Sequence, residues 1–506
     1  MKRKILKFLI FASPIVFLII SRQNSFNIPF ERDEGEYAYS AWLMRMGASP
    51  YKYSFLQKPP MIIYTYFLAQ LINPDSFWPP RVLALLSLII SVILLGKIAK
   101  KEFGEKAGII AMWIFVSLTS LPQFTPYAAN TEVFMLSPLI AILYLYTFNR
   151  KNTKNSAWFF SGLLAAISVL YKPISLPVIV FVFSAWTLER LKNNTKLLPQ
   201  NILSVLFGLI TALVLVFAYF FEKRALGNMF ESAVWFNSYY LKNLKGTLFP
   251  FFAKPLLLTR PILLLTFIAY LLKPSKRLVF HSALLLVTSL TLYSAPFGHY
   301  YILLIPFLSL AASGGIYHAL NHFHLSKSIP ISLLIVFFII LPTKNIFFLN
   351  KDELYSSFYA STEPFKEAPR IAQELVKITK PNDYVFIAGS EPEILYYAGR
   401  KSSSRFVITY PLNIKSPKQL DYQNEVIKDI EKNTPQAIIL SQFPSSKFWV
   451  KGNPTVLFDY TMDLLNNKYI LVGSFIRDGG SGYWENHPSN ENLSKSSFLI
   501  YKRISI

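Results

Sequence analysis

The chain has 506 residues, of which 53% are hydrophobic and 16% aromatic, and it contains no cysteine. Only 16% are charged, against about a quarter in ordinary soluble domains. The composition excludes a soluble globular protein, disulfides, thiolate catalysis and cysteine-ligated metals. The net charge of +23 does not point to nucleic acid, because Lys and Arg gather in short loops between apolar runs, where they fix membrane orientation.

The opening MKRKILKFLIFASPIVFLII starts like a signal peptide, but no small-residue cleavage site follows its apolar run. A retained first helix is expected over 5–21. With the basic end inside, the next segment, NIPFERDEGEYAYSAWLMRMGASPY (27–51), lies outside. It places Asp33, Glu34 and Glu36 within one helical turn, directly after Arg32. MIIYTYFLAQLI (61–72) is short for a span, which takes about 20 apolar residues. Bounded by KPP and NPDSFWPPR, it reads as a helix in the outer interface, with Tyr64, Tyr66 and Trp78 suited to the headgroup level.

Further spans are expected at 82–96, 107–121 and 133–148, then as a hairpin over 156–188 that turns at YKP. Others follow at 200–221 and 255–271, on either side of APFGHYY, and at 329–348, for about 11 spans. Five inner loops are then basic, as membrane orientation asks. The outer loop 222–254 runs against this rule with Lys223, Arg224, Lys242, Lys245 and Lys254.

From residue 349 the texture changes. DYVFIAG, RFVITY, QAIILS and KYILVGSF read as short strands, alternating with helical segments at 367–378 and 418–431. This is a small α/β domain. Within it GRKSSSRF (399–406) offers Arg400, Lys401 and Arg405 as a patch for an anionic glycan or headgroup, or equally a solvated turn with a strand starting at Arg405. RDGGSGYWENHPSN (477–490) reads as a loop. The expected fold is a polytopic α-helical membrane protein, residues 1–348, with an extracytoplasmic α/β domain, residues 349–506. The N-terminus is expected in the cytoplasm and the spans in the plasma (inner) membrane.

This topology collects ionisable groups at the outer face: Asp33, Glu34, Glu36, Lys58, Arg81, Glu132, Lys172 and His299, the last followed by Tyr300 and Tyr301. Each has a plain reading alone. The acids are loop charges, the cations snorkelling anchors, Glu132 a loop-orienting partner, and His299 with its tyrosines an interfacial belt. Together they meet a chemical specification. A hydroxyl attacking a sugar carried on a lipid phosphate needs a general base, and the departing phosphate needs cations. Charges beside apolar spans are costly unless paired or functional.

RDEGEYAYSAWLMRMGASPY, LQKPPMIIYTYFLAQL, PPRVLALLSLI, LYKPISL and GHYYILLIP, in that order, resemble the bacterial GT-C glycosyltransferases. These include the protein O-mannosyltransferases and the aminoarabinose transferases that modify lipid A. The segment EPEILYYAGRKSSSRFVITYPL (391–412) also resembles the tail of many bacterial members. The resemblance implies a GT-C-type fold and transfer from a polyprenyl-phosphate sugar donor to a glycan, lipid or protein acceptor, with inversion. It implies Asp33 as catalytic base with Glu34 beside it, and Lys58, Arg81, Lys172 and His299 as donor-phosphate ligands. Glu36, Tyr37, Glu132 and Tyr300 are implied substrate contacts. Two departures stand out: Gly35 loosens the acidic helical turn, and Glu132 stands where an aspartate is common. Asp33, Glu34 and Glu132 are oxygen donors of the kind a hard divalent cation takes, but no metal or other cofactor is expected. The alternatives are a transporter or flippase of lipid-linked saccharides, a surface-glycan polymerase or ligase, and a non-catalytic scaffold whose tail binds cell-surface polymer. No internal repeat marks the paired halves of a transporter.

Overall fold

A computed structural model describes residues 2–121, 124, 127–150, 154–193, 198–243, 275–293, 297–322, 363–478 and 481–504, with isolated positions between 260 and 271 and at 353. The main helices run in chain order as α1 Lys2–Arg22, α2 Arg32–Arg45, α3 Met61–Ile72, α4 Trp78–Phe103, α5 Glu105–Thr119, α6 Thr131–Asn149, α7 Asn155–Tyr171, α8 Leu176–Asn193 and α9 Leu198–Glu222. Then come α10 Leu226–Phe230, α11 Phe236–Asn243, α12 Lys276–Thr291, α13 Ile305–His322 and, in the tail, α14 Ala368–Ile378 and α15 Pro392–Ala398. Strands β1 Tyr384–Ala388, β2 Lys401–Ser402, β3 Ala437–Ser441, β4 Tyr469–Asp478, β5 Ser481–Asn486 and β6 Ser496–Arg503 complete the tail with α16 Gln419–Asn433 and α17 Val456–Lys468.

Contacts divide the chain into two units. One comprises Met1–Phe26, Pro80–Phe217 and Leu244–Asn350; the other comprises Asn27–Pro79, Ala218–Asn243 and Lys351–Ile506. The first is helical. Among the described residues six helices are long and apolar enough to cross a membrane: Lys4–Asn27, Trp78–Phe103, Thr131–Asn149, Pro173–Lys192, Leu198–Glu222 and Gly298–His322. The protein is a multi-pass membrane protein. α5 and α7, at expected spans, are shorter helices of 15 and 17 residues. The spans expected at 255–271 and 329–348 lie outside the described residues, apart from isolated positions in the former. α1 leaves Leu6, Phe8 and Leu9 more than half exposed, and α9 does the same with Leu203, Phe207 and Leu215. Such surface is costly in water and at no cost against lipid. Small residues set one close helix crossing: a side chain at Gly162 would strike the Val205 carbonyl, and one at Gly208 that of Phe159. Glycine at both positions lets the backbones of α7 and α9 meet.

The second unit is α/β. Its six-stranded sheet has the order β2-β1-β3-β6-β4-β5, with β2, β1 and β3 parallel and β6, β4 and β5 antiparallel to their neighbours. Val385 and Ile387 of β1, Ile439 of β3 and Ile500 of β6 pack with Ile371 and Leu375 of α14 and Ile394 of α15. The same core takes in Tyr39, Trp42 and Leu43 from α2, a stripe at the three- and four-residue spacing of one helix face. Each such buried side chain contributes about 1.5–3 kcal/mol. The helix bearing the acidic knot is therefore mounted on the tail. The division expected at 348/349 marks only the start of the last segment of this unit, since 27–79 and 218–243 also belong to it.

Three expectations for the tail are corrected. RFVITY forms no strand; its Phe406, Val407 and Ile408 are buried in irregular backbone. The expected loop at 477–490 is largely strand, with Ser474 to Asp478 of β4 pairing with Glu485 to Ser481 of β5. The basic run 399–406 is no open patch. Arg400 is buried and donates to the Thr379 carbonyl at 2.9 Å and its hydroxyl at 3.0 Å. Arg405 lies between Glu425 at 2.6 Å and Glu231 at 3.0 Å, over the ring of Phe55.

Candidate active site

In the second unit the acids occupy the first turn of α2. Glu31 is its N-cap, with extended backbone at φ −76°, and it forms a capping box with Glu34. The Glu34 carboxylate accepts the Glu31 backbone N–H at 3.3 Å. Glu34 is fully buried, so its carboxylate serves the helix start, satisfying an amide that the helix leaves unpaired. Asp33, one residue earlier, is a quarter exposed. Its Oδ2 lies 3.4 Å from Lys58 Nζ and accepts from the Tyr37 hydroxyl, one turn on, at 3.5 Å. The carboxylate thus stands at the positive end of the helix and beside an ammonium.

Glu36 faces the same neighbourhood from inside. It is buried, its Oε1 has no hydrogen-bond partner, and burial pushes its pKa up to about 8; Lys58 opposes the shift and Asp33 adds to it. Two carboxyls at i and i+3 thus lie in different surroundings, Asp33 partly wet beside an ammonium and Glu36 buried with its pKa raised.

Lys58 stands just before Pro59 and Pro60, which lead into α3. The buried Tyr51 hydroxyl donates to the Lys58 carbonyl at 2.8 Å, fixing the backbone beneath the ammonium.

Sequence reasoning overlooked what lies under this turn. Arg32 Nε donates to the Ser390 carbonyl at 2.8 Å, and its NH2 lies 3.1 Å from Glu363 and 3.8 Å from Glu391. A side-chain carbon at Gly35 would sit 2.6 Å from Glu393 Cβ. Gly35 is therefore a close-approach position that lets α15 seat against α2, rather than a loosening of the turn. Glu391 and Glu393 are both buried, and burial raises the pKa of each. The EPE triplet at 391–393 was the only sequence signal for them, and nothing local ties it to Arg32, 359 positions earlier.

The first unit gathers a second set. Glu132, in the first turn of α6, is buried and accepts from Lys172 and, at 2.9 Å, from the Thr131 hydroxyl. His299 Nε2 lies 3.6 Å from the same carboxylate oxygen that meets Lys172. The Lys172 ammonium also stands 3.6 Å from the centre of the Tyr300 ring, a cation–π contact, and His299 packs edge-on against Tyr300. Lys172 has extended backbone, φ −158°, where α7 ends; the following Pro173 disfavours helix there and turns the side chain away from the α7 ladder. Glu132, Lys172, His299 and Tyr300 are thus brought together. Arg81, near the start of α4, donates to the Ser25 carbonyl. Arg22, unremarked in the sequence, is buried at the end of α1, where it donates to the Thr119 carbonyl at 2.7 Å. Among the described residues no group of three or more acidic or histidine side chains is placed to hold a metal ion.

Residues 57–221 match the family described as dolichyl-phosphate-mannose-protein mannosyltransferase. No curated protein matches the chain. Among solved structures the chain is similar to ArnT from Cupriavidus metallidurans bound to undecaprenyl phosphate, with a TM-score of 0.64 at 12% identity, covering 97% of each chain. The apo state of the same protein gives 0.61 at 10% identity, again over 97% of each chain. The oligosaccharyltransferase AglB from Archaeoglobus fulgidus, in complex with an inhibitory peptide and a dolichol-phosphate, gives 0.50 at 11% identity, covering 96% of this chain and 75% of that one. At such identities the likeness is one of fold. By fold the chain is similar to these structures over nearly its whole length, and by sequence residues 57–221 match that one family.

Proposed function

We propose that the protein transfers a sugar from a polyprenyl-phosphate donor to an acceptor hydroxyl at the outer face of the membrane, inverting the anomeric carbon. The observation that carries this reading is the Asp33–Lys58 pair at the start of α2, a partly exposed carboxylate held 3.4 Å from an ammonium. The likeness to a structure that holds undecaprenyl phosphate supports a lipid-phosphate donor.

In this reading Asp33 accepts the proton of the acceptor hydroxyl as its oxygen attacks the anomeric carbon. The bond from that carbon to the phosphate oxygen breaks, and the electron pair leaves on the lipid phosphate. Lys58 then faces the growing phosphate charge. As its ammonium turns from Asp33 to the phosphate, it leaves Asp33 a stronger base at the moment the proton moves. By the family resemblance alone, Arg81, Lys172 and His299 of the first unit are assigned to the donor phosphate. Within the second unit Glu36 and Tyr37 are assigned to the substrate's surroundings, while Glu34 holds the helix start that presents Asp33; within the first unit Glu132 and Tyr300 are assigned the same role by the family resemblance.

The test uses purified protein in lipid nanodiscs with a panel of radiolabelled polyprenyl-phosphate sugars, with and without membrane extract as acceptor. Release of sugar from one donor supports the reading and names the sugar. No turnover of any donor, together with movement of lipid-linked saccharide across vesicle bilayers, replaces it with a flippase.

A further inference from the structure

The C-terminal half of α2 borders a cavity unrelated to the acidic knot. It has a volume of about 400 Å³, and its walls come from α2, from the turn that follows it, from Lys223 after α9, and from β1 and β2 of the tail. This is the size of site that takes small ligands. Three lysines line it, Lys52, Lys223 and Lys401, and no acidic residue does. Lys223 pairs with Glu222 at 3.3 Å, but Glu222 is 70% exposed, and such a pair holds its cation weakly.

The lysines are positioned by built features. Lys52 donates to the Lys223 carbonyl at 2.8 Å, which ties two of the walls together. Each of these two lysines adjoins a non-glycine residue with left-handed backbone, Tyr51 at φ 69° and Arg224 at φ 52°. Such conformations persist only where their surroundings hold them. The buried Tyr39 accepts the Ser402 backbone N–H at 2.8 Å, which leaves its own O–H to donate at the cavity wall. Tyr53 and Tyr384 add two more phenols, and Leu43 and Ala48 an apolar strip.

Ammonium groups as point charges, phenol donors and aromatic faces without a counter-charge match one ligand chemistry. The charges take phosphate or carboxylate, and the rings and hydroxyls take the face and hydroxyls of a pyranose. We propose that this cavity binds an anionic saccharide unit of the acceptor. The idea rests on the glycosyltransferase reading for the word acceptor but not for the binding itself. Leu43 lies ten residues along α2 from Asp33, about 15 Å of helix. The acceptor is then a glycan chain whose charged unit is held away from the hydroxyl that reacts.

The experiment measures binding of fluorescent tetragalacturonate, with neutral maltotetraose as comparison, to the full chain in phosphatidylcholine nanodiscs. Wild type is expected to bind tetragalacturonate and not maltotetraose. Lys52→Gln and Lys401→Gln should each weaken binding about tenfold through loss of one charge-assisted contact. Lys401 is exposed, so its replacement leaves folding intact even if that of Lys52 does not. Lys451→Gln, on an exposed turn elsewhere in the tail, should change nothing. Equal binding of both saccharides, or unaltered binding in Lys401→Gln, overturns the proposal. So does Lys401-dependent binding of short-chain phosphatidylglycerol without binding of tetragalacturonate, which would make the cavity a headgroup site. Absence of saccharide binding with donor turnover intact removes this inference alone. Saccharide binding without turnover of any donor removes the transferase reading alone.

Discussion

Lys58 Nζ and Asp33 Oδ2 face each other at 3.4 Å, with the Tyr37 hydroxyl on the same carboxylate oxygen. The contact sets an ammonium beside a partly exposed carboxylate, and in the proposed reaction that ammonium faces the departing phosphate. Replacing Lys58 by Gln should therefore lower sugar transfer about 100-fold or more, the scale seen when a preorganised charge-stabilising group is lost. Single-turnover rates with a saturating lipid-phosphate donor check this. A rate within threefold of wild type would remove Lys58 from the chemistry.

Glu36 predicts a pH effect on stability with a definite sign. Its folded pKa is raised to about 8, first by burial, with Lys58 opposing, Asp33 adding and Arg32 opposing; an unfolded glutamate titrates near 4.3. Between these values the folded state holds a proton that the unfolded state has released. Stability from this group is thus fully present below about pH 4, falls as pH rises toward 8, and is level above that. Glu36→Gln stays neutral throughout. Its thermal midpoint should rise relative to wild type as pH goes from 5 to 9, read by scanning fluorimetry at each pH. A constant difference would place Glu36 in a wetter site than the one described.

Gly35→Ala sets two effects against each other. Alanine gains about 1 kcal/mol in helix propensity, but its methyl would sit 2.6 Å from Glu393 Cβ. Overpacking of this kind costs about 1–3 kcal/mol, so the variant should be less stable despite the better helix former. The denaturation midpoint of the purified chain decides it. A stabilised variant would mean that α15 is not seated against this face of α2.

Lys172, partly buried, pairs with the buried Glu132. Removing the ammonium in Lys172→Met leaves the buried Glu132 carboxylate with the Thr131 hydroxyl and His299, and should cost about 1–3 kcal/mol. Lys172→Met with Glu132→Gln should recover most of that loss. Comparing the single and double variants for stability and for donor turnover separates two roles. Recovered stability without recovered turnover is expected, since the phosphate contact assigned to Lys172 is still missing.

Much of this was legible in sequence because helices repeat locally. RDEGEY puts Asp33, Glu36 and Tyr37 within little more than one turn, and that turn formed. The apolar runs gave helices wherever described, and four of the β-branched and aromatic features were tested by pairing: 384–388, 437–441 and 469–478 became strands, while Phe406 to Ile408 met the core without joining the sheet. What stayed hidden depends on partners far along the chain. Arg405 looks like a free cation until Glu231, 174 positions earlier, is beside it. Arg32 looks like part of the acidic knot until Ser390, Glu363 and Glu391 close around it. Gly35 reads as a helix weakness because its reason, Glu393, comes from another element. The same distance hid that the tail carries α2: nothing near the stripe Tyr39, Trp42 and Leu43 announces Ile371 and Ile394, with which it shares a core.

The central claim is that Asp33 takes the acceptor proton. The most direct measurement is release of sugar from the polyprenyl-phosphate donor that wild type turns over, made on Asp33→Asn in the same nanodiscs. Asparagine keeps the shape and removes the base. The account predicts that transfer falls below detection while donor binding and the thermal midpoint change little. Transfer by Asp33→Asn at a rate near wild type would contradict it.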